Sequence, residues 1–126
     1  MATLENLQAA FAGESQANRK YLAFAKKAEL EGFHQIARLF RSAAEAETIH
    51  AHAHFAVMDG VKSTKENLAA AIDGEDYEYI KMYPEFLKTA VEEGNKKAET
   101  SFKNALAVEK IHSDLYNKAM EAIKSG

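Results

Sequence analysis

Cysteine is absent from this 126-residue chain. Its absence excludes a disulfide framework, a thiolate zinc site and any iron-sulfur or rubredoxin-type centre built from these residues, and makes the cytoplasm the default compartment. Proline occurs once, at Pro84, and glycine six times, too few breaks for a fold of many short strands. Long apolar runs are missing, and no basic segment followed by an apolar one opens the chain, so neither a membrane span nor a secretory signal is expected. An excess of one charge is missing too. Sixteen basic and 19 acidic residues, net charge -3, are spread along the sequence and leave no basic face for a phosphate backbone, which argues against nucleic acid as a partner. What is present is 47% hydrophobic, enough for one domain over residues 1–126 that buries a core.

Alanine, glutamate, lysine and leucine dominate and favour helix nearly everywhere. Glu31-Gly32 and Glu93-Gly94 place glycines where helices end in left-handed caps, and Asp59-Gly60 offers a third stop. Ser63 and Glu66 fit a capping box. Four helices follow, at about Leu4 to Glu31, His34 to Met58, Lys65 to Glu93 and Asn95 to Lys124, with boundaries good to about 2–4 residues. Pro84, inside the third, is expected to kink it or to open its hydrogen bonds.

Each helix carries a seam with alternating steps of three and four, the spacing that turns one face towards a partner. The first runs Leu4, Leu7, Phe11, Glu14, Asn18, Tyr21, Ala25, Ala28. The second runs Ile36, Phe40, Ala43, Glu47, His50, His54, Val57. The third runs Leu68, Ile72, Glu75, Tyr79, Met82, Phe86, and the fourth Ala98, Phe102, Ala105, Glu109, His112, Tyr116, Ala119, Ile123. The expected fold is an all-α four-helix bundle with a glutamate near the middle of every seam. The chain also repeats itself. At an offset of 62, Ala28, Glu31, Gly32, Phe40, Ala43, Glu47, Ile49 and His50 meet identical residues, and at 61 Gly13-Glu14 meets Gly74-Glu75. The bundle is thus two duplicated helical hairpins, each with a Gly-Glu on its first helix and a Glu-x-x-His on its second.

A carboxylate facing a core is costly unless something neutralises it. Glu47 with His50 and Glu109 with His112 stand three residues apart on one helical face, so each pair reaches a common point, and Glu14 and Glu75 add oxygens from the other helices. Two divalent metals would offset the four negative charges and accept carboxylate and imidazole alike. One Glu from each of two helices and Glu-x-x-His from each of the others is the ligand pattern of ferritin-like dimetal carboxylate bundles. Glu78, one helical step from Glu75, breaks the symmetry of the repeat; a fifth carboxylate beside His50 gives one metal a choice between oxygen and nitrogen. Of the histidines near His50, only His54 shares its face, and it is expected in the core or just behind the ligands. His52 and His34 are expected at the surface. Gly13 and Gly74 are expected to let helices approach closely beside the metals.

Ala10-Phe11-Ala12-Gly13-Glu14-Ser15-Gln16, Glu47-x-x-His50, Gly74-Glu75-x-x-Glu78-Tyr79, Met82-Tyr83-Pro84 and Glu109-x-x-His112 together resemble rubrerythrin, over essentially the whole chain. The resemblance implies a ferritin-like fold and a non-haem di-iron site that reduces hydrogen peroxide to water. By position it makes Glu47 and Glu109 bridges between two iron ions and gives Glu75 and His112 to one iron. Glu14 goes to the other, where Glu78 and His50 exchange on reduction. Tyr21 and Tyr83 match tyrosines that orient ligand carboxylates by hydrogen bonds. Zinc or manganese fits the same donors. Typical rubrerythrins continue into a rubredoxin-like domain with paired Cys-x-x-Cys motifs, whereas this sequence ends at Lys124-Ser125-Gly126. The expectation is either a short member of the family or a piece cut before that domain, served by an external donor such as a rubredoxin-type protein. The alternative activity is ferroxidase and iron handling. Storage needs a cage, and a short chain with no extra assembly helix favours peroxide reduction.

Assembly follows from length. In a ferritin-like bundle the second and third helices run parallel, so their connection must cross the bundle. A second helix of about 25 residues spans roughly 38 Å, whereas Asp59 to Thr64 stretches to about 20 Å. The expectation is a domain-swapped homodimer, with an up-down-up-down bundle of one chain as the competing solution.

Overall fold

The computed structural model describes residues 2–125, which form helices and, among them, no strand. Helix α1 covers Ala2–Leu30, α2 His34–Val57, α3 Thr64–Asp76, α4 Tyr83–Glu92 and α5 Lys96–Lys124; a π-helical segment, Tyr77–Met82, joins α3 to α4 without a break. The third expected helix is therefore one rod of three parts. Among the described residues no helix is long and apolar enough to cross a membrane. The chain divides into two compact units at Val61/Lys62, and each is a helical hairpin: α1 against α2, and α3–α4 against α5.

Three helix ends share one device. At Gly32 (φ 85°) and Gly94 (φ 69°) the chain turns left-handed. Gly32 N–H then reaches the Glu29 carbonyl and Phe33 N–H the Ala28 carbonyl; Gly94 and Asn95 do the same with Val91 and Ala90. This paired pattern satisfies carbonyls that a helix end would otherwise leave unpaired. At the end of α2 the left-handed residue is Asp59 (φ 58°), not Gly60. Gly60 serves another purpose: a Cβ there would lie 2.4 Å from the Phe55 ring. The expected cap at the start of α3 forms, with Ser63 Oγ accepting from Glu66 N–H (3.1 Å) and donating to Glu66 Oε1 (2.9 Å).

Pro84 acts through the segment before it. Lacking an N–H, it cannot donate to the Ile80 carbonyl as a helix would require, and the backbone widens there, Tyr83 N–H reaching five residues back to the Glu78 carbonyl. Pro84 itself sits in the first turn of α4, where no donor is needed.

Inside its own hairpin a Cβ on Gly13 or Gly74 would meet nothing within 4 Å, so close approach within the hairpin does not explain these glycines. The lines most deeply buried within the hairpins stand one residue on from the expected seams of α2 and α5. In α2 they are Ala37, Ala44 and Ala51, and in α5 Ser113 and Met120, at seven-residue spacing. Small alanines along this line let α2 sit close on α1, whose Ala25 and Ala28 are also buried, and the seam of Phe40, Ala43, Glu47 and His54 is left half-buried beside that contact.

Candidate metal centre

In the first hairpin one donor atom each from Glu14, Glu47 and His50 lies within 4.8 Å of the others; in the second, Glu75, Glu109 and His112 do the same. Glu14 comes from the middle of α1 and Glu75 from the last turn of α3, while each Glu-x-x-His pair projects from one face of α2 or α5. His50 Nδ1 lies 3.2 Å from Glu14 Oε1 and His112 Nδ1 3.5 Å from Glu75 Oε1. Two donor atoms about 2.1 Å from a shared metal stand roughly 3.0–3.4 Å apart; the first separation lies within that span and the second just beyond it, so small side-chain adjustments bring both to ligands of one cation. The other oxygens, Oε2 of Glu14 and of Glu75, are buried without a hydrogen-bond donor. An orphaned carboxylate oxygen inside a protein is costly; in both hairpins it is the glutamate of the Gly-Glu motif. Two carboxylates and an imidazole with converging donor atoms fit a divalent iron, manganese or zinc ion.

Side-chain hydrogen bonds hold the helices in register next to each set. In the first hairpin Asn18, one turn beyond Glu14, donates to the Ala44 carbonyl (2.8 Å) and to Thr48 Oγ1 (2.7 Å), beside Glu47. In the second, buried Ser113 donates to Asp76 Oδ1 at 2.6 Å. Asp76 follows the candidate ligand Glu75, and Ser113 follows the candidate ligand His112. Asn117 in turn donates to the Ser113 carbonyl (2.9 Å). These braces were not anticipated, although Asn18 is a polar residue in an otherwise apolar stretch of its seam. Ser113→Ala is expected to cost about 1 kcal/mol, the usual net worth of such a bond, read as a lower thermal midpoint of the metal-free protein. An unchanged midpoint would show that the pair holds nothing.

The remaining site residues are placed as follows. Glu78 lies in the π-helical segment, outside the three-residue set. Burial raises its carboxyl above the ordinary range, the Glu75 charge adds to the rise, and His112 opposes it. Tyr21 packs with Phe24 and Phe40, at centroid separations of 6.3 and 6.1 Å, and Tyr83 packs with Phe86 and Phe102 at 6.2 and 6.0 Å. These triads match at the offset of 62, an extension of the repeat that was missed. Among the described residues neither tyrosine hydroxyl makes a hydrogen bond within its hairpin. His54 comes within 2.6 Å of Glu14. His52 is exposed as expected, and His34 pairs at the surface with Glu29 (2.6 Å).

Comparison with known proteins gives the same pattern a family context. The family model described as Rubrerythrin matches residues 5–120. Nigerythrin of Nitratidesulfovibrio vulgaris is 41% identical, over 97% of this chain and 67% of its own length. Rubrerythrin-1 of Clostridium acetobutylicum is 38% identical over 97% of this chain and 71% of its own. Among solved structures, fully reduced, all-ferrous nigerythrin aligns with 98% of this chain and 68% of its own at 40% identity, with a TM-score of 0.51.

Proposed function

The chain belongs to the rubrerythrin family, and on that premise we propose that it is a non-haem di-iron oxidoreductase that reduces hydrogen peroxide to water with electrons from an external, rubredoxin-type donor. The observation that carries the reading is the repeated Glu–Glu–His set, whose donor atoms converge in each hairpin. Glu14, Glu47 and His50 from one hairpin and Glu75, Glu109 and His112 from the other would hold two iron ions, with Glu47 and Glu109 as bridges. Held there, two ferrous ions would supply the two electrons that cleavage of an O–O bond takes up, and would act as Lewis acids towards the oxygens.

The protein's own groups determine how that chemistry is held. Four carboxylates offset the charge of two divalent ions. Glu78 and His50 act as alternative donors, a carboxylate suiting the oxidised state and an imidazole the reduced one. Tyr21 and Tyr83, fixed as rings by their aromatic neighbours, would direct hydroxyls that are free within their own hairpins to ligand carboxylates of the completed bundle and so limit how those can turn. The hairpins complete bundles between two copies of the chain. What supports this is reach: the six residues between Val57 and Thr64 extend about 20 Å, whereas the 24 residues of α2 rise about 36 Å.

Anaerobic iron reconstitution followed by stopped-flow mixing with peroxide, and separately with oxygen, tests the reading. Two ferrous ions per chain, oxidised faster by stoichiometric peroxide than by oxygen and giving the absorption of a ferric oxo bridge, are expected. Iron that peroxide leaves ferrous would refute the activity, and light scattering showing only monomer at full loading would refute the exchange of hairpins.

A further inference from the structure

The two hairpins are not equal around their Gly-Glu glutamates. In the first, two imidazoles one helical turn apart on α2 approach the same carboxylate: His50 Nδ1 is 3.2 Å from Oε1 of Glu14, and His54 Nε2 is 2.6 Å from Oε2. In the second, His112 approaches Glu75 in the same way, but the residue 62 positions after His54 is Tyr116, whose ring packs beside that of His112 at a centroid separation of 6.4 Å. Despite its nearness, His54 is not aligned as a hydrogen-bond donor to Oε2, which remains buried without one. The carboxylate therefore lies between two nitrogens, one oxygen to each, and a small turn of the Glu14 side chain brings the Nε2–H of His54 onto Oε2. No other donor is offered to that oxygen.

We propose that His54 is a positioning residue of the first hairpin: its imidazole fixes Oε2 of Glu14, so that Oε1 alone faces the donor atoms of Glu47 and His50, a constraint that Glu75 lacks in the second hairpin. Imidazole–carboxylate pairs behind a metal ligand set its orientation and its donor strength. The consequence is an unequal pair of cation positions, one whose Gly-Glu carboxylate is held by a neighbour and one whose carboxylate is free to offer both oxygens. His54 is thereby separated from His50, which belongs to the ligand set itself.

The inference rests on the dimetal reading above, and cobalt(II) titration of the full-length protein, followed by its visible spectrum and by calorimetry, distinguishes failure of one from failure of the other. Wild type is expected to take up two equivalents. His54→Leu is expected to weaken one of them about 10- to 100-fold, the span that loss of such an outer partner gives, to leave the other unchanged, and to alter the cobalt spectrum. His54→Gln, which keeps an N–H donor, is expected to restore both affinity and spectrum. In a Glu14→Ala background, His54→Leu is expected to cause no further loss, because the histidine acts through that carboxylate. Helical content by circular dichroism checks that each variant folds, and the glutamine variant carries the test if the leucine variant does not. Two wild-type affinities in His54→Leu overturn the inference alone. So does a glutamine variant as weak as the leucine one, which would make His54 a ligand in its own right, or an equal loss in the Glu14→Ala background. A wild-type protein that takes up no cobalt overturns the dimetal reading together with it.

Discussion

Glu109→Ala is expected to reduce iron loading from two ions per chain to one or none, and Glu47→Ala to do the same. Each of these glutamates is one of two carboxylates in its hairpin's set and, on the proposed arrangement, spans both metals, so its removal takes a ligand from each. Loss of an outer partner alone lowers metal affinity about 10- to 100-fold, and loss of a ligand shared by two ions must exceed that. The effect on stability has the opposite sign in the two forms. Without metal the set brings carboxylates together around a buried, donorless oxygen, so the alanine variants should melt no lower than wild type. With metal at about 100 times its dissociation constant, the wild type gains about 2.7 kcal/mol, and the variants forfeit most of that gain. Elemental analysis after anaerobic loading and melting curves with and without iron give both numbers. Two ions retained by Glu109→Ala would remove the basis of the di-iron reading.

The convergence of these carboxylates and imidazoles was legible in the sequence because they break a rule. Glu14, Glu47, Glu75 and Glu109 interrupt apolar seams, and His50 and His112 follow at helical spacing; the duplication showed the pattern twice. Helix ends were legible for a similar reason, since Gly32, Gly94 and Ser63 are residues whose backbone or side-chain preferences fit one role. Asp59 was less so, because aspartate adopts a left-handed turn less often than glycine and the adjacent Gly60 drew the assignment. The line of closest contact inside the hairpins, one residue on from the expected seams of α2 and α5, was not legible. Alanine occupies so many positions of α2 that burial of Ala37, Ala44 and Ala51 leaves no contrast in hydrophobicity, and the larger Phe40 and Ile36 set the apparent seam. The braces from Asn18 and Ser113 and the approach of His54 to Glu14 depend on rotamers and on side-chain reach across helices, which periodicity along one helix does not encode.

The π-helical segment was half legible. Pro84 announced a disturbance but not its form, and the form matters because it places Glu78. Widening the backbone over Tyr77–Met82 breaks the regular phase between Glu75 and the residues that follow, so Glu78 is set apart from the three-residue set while remaining close enough to feel the Glu75 charge. Short π segments inside helices recur at functional sites for this reason: an extra residue per turn re-aims side chains without ending the helix. On the proposed exchange with His50, such a segment would suit Glu78 better than a rigid α-helical turn braced by Asp76 and Ser113.

Glu78→Gln therefore separates binding from redox response. Iron loading should remain at two ions per chain, because the six residues of the two sets are intact, while the rate of oxidation by peroxide should fall at least tenfold, about 1.4 kcal/mol in activation free energy. Metal-free protein gives an independent reading with a definite sign. Burial first, and the Glu75 charge second, raise the Glu78 carboxyl above its ordinary value. A carboxyl raised on folding contributes stability that is fully present below its unfolded pKa and is lost as pH rises through the higher folded value. Wild type should consequently lose some stability between mildly acidic and neutral pH that the neutral glutamine does not lose. At neutral pH the variant should melt about 2–3 °C higher, the scale of a half-exposed substitution in a domain of this size, and the difference should vanish near pH 4. Equal melting at both pH values would remove Glu78 from the acidic cluster, and unchanged peroxide kinetics would count against its exchange with His50.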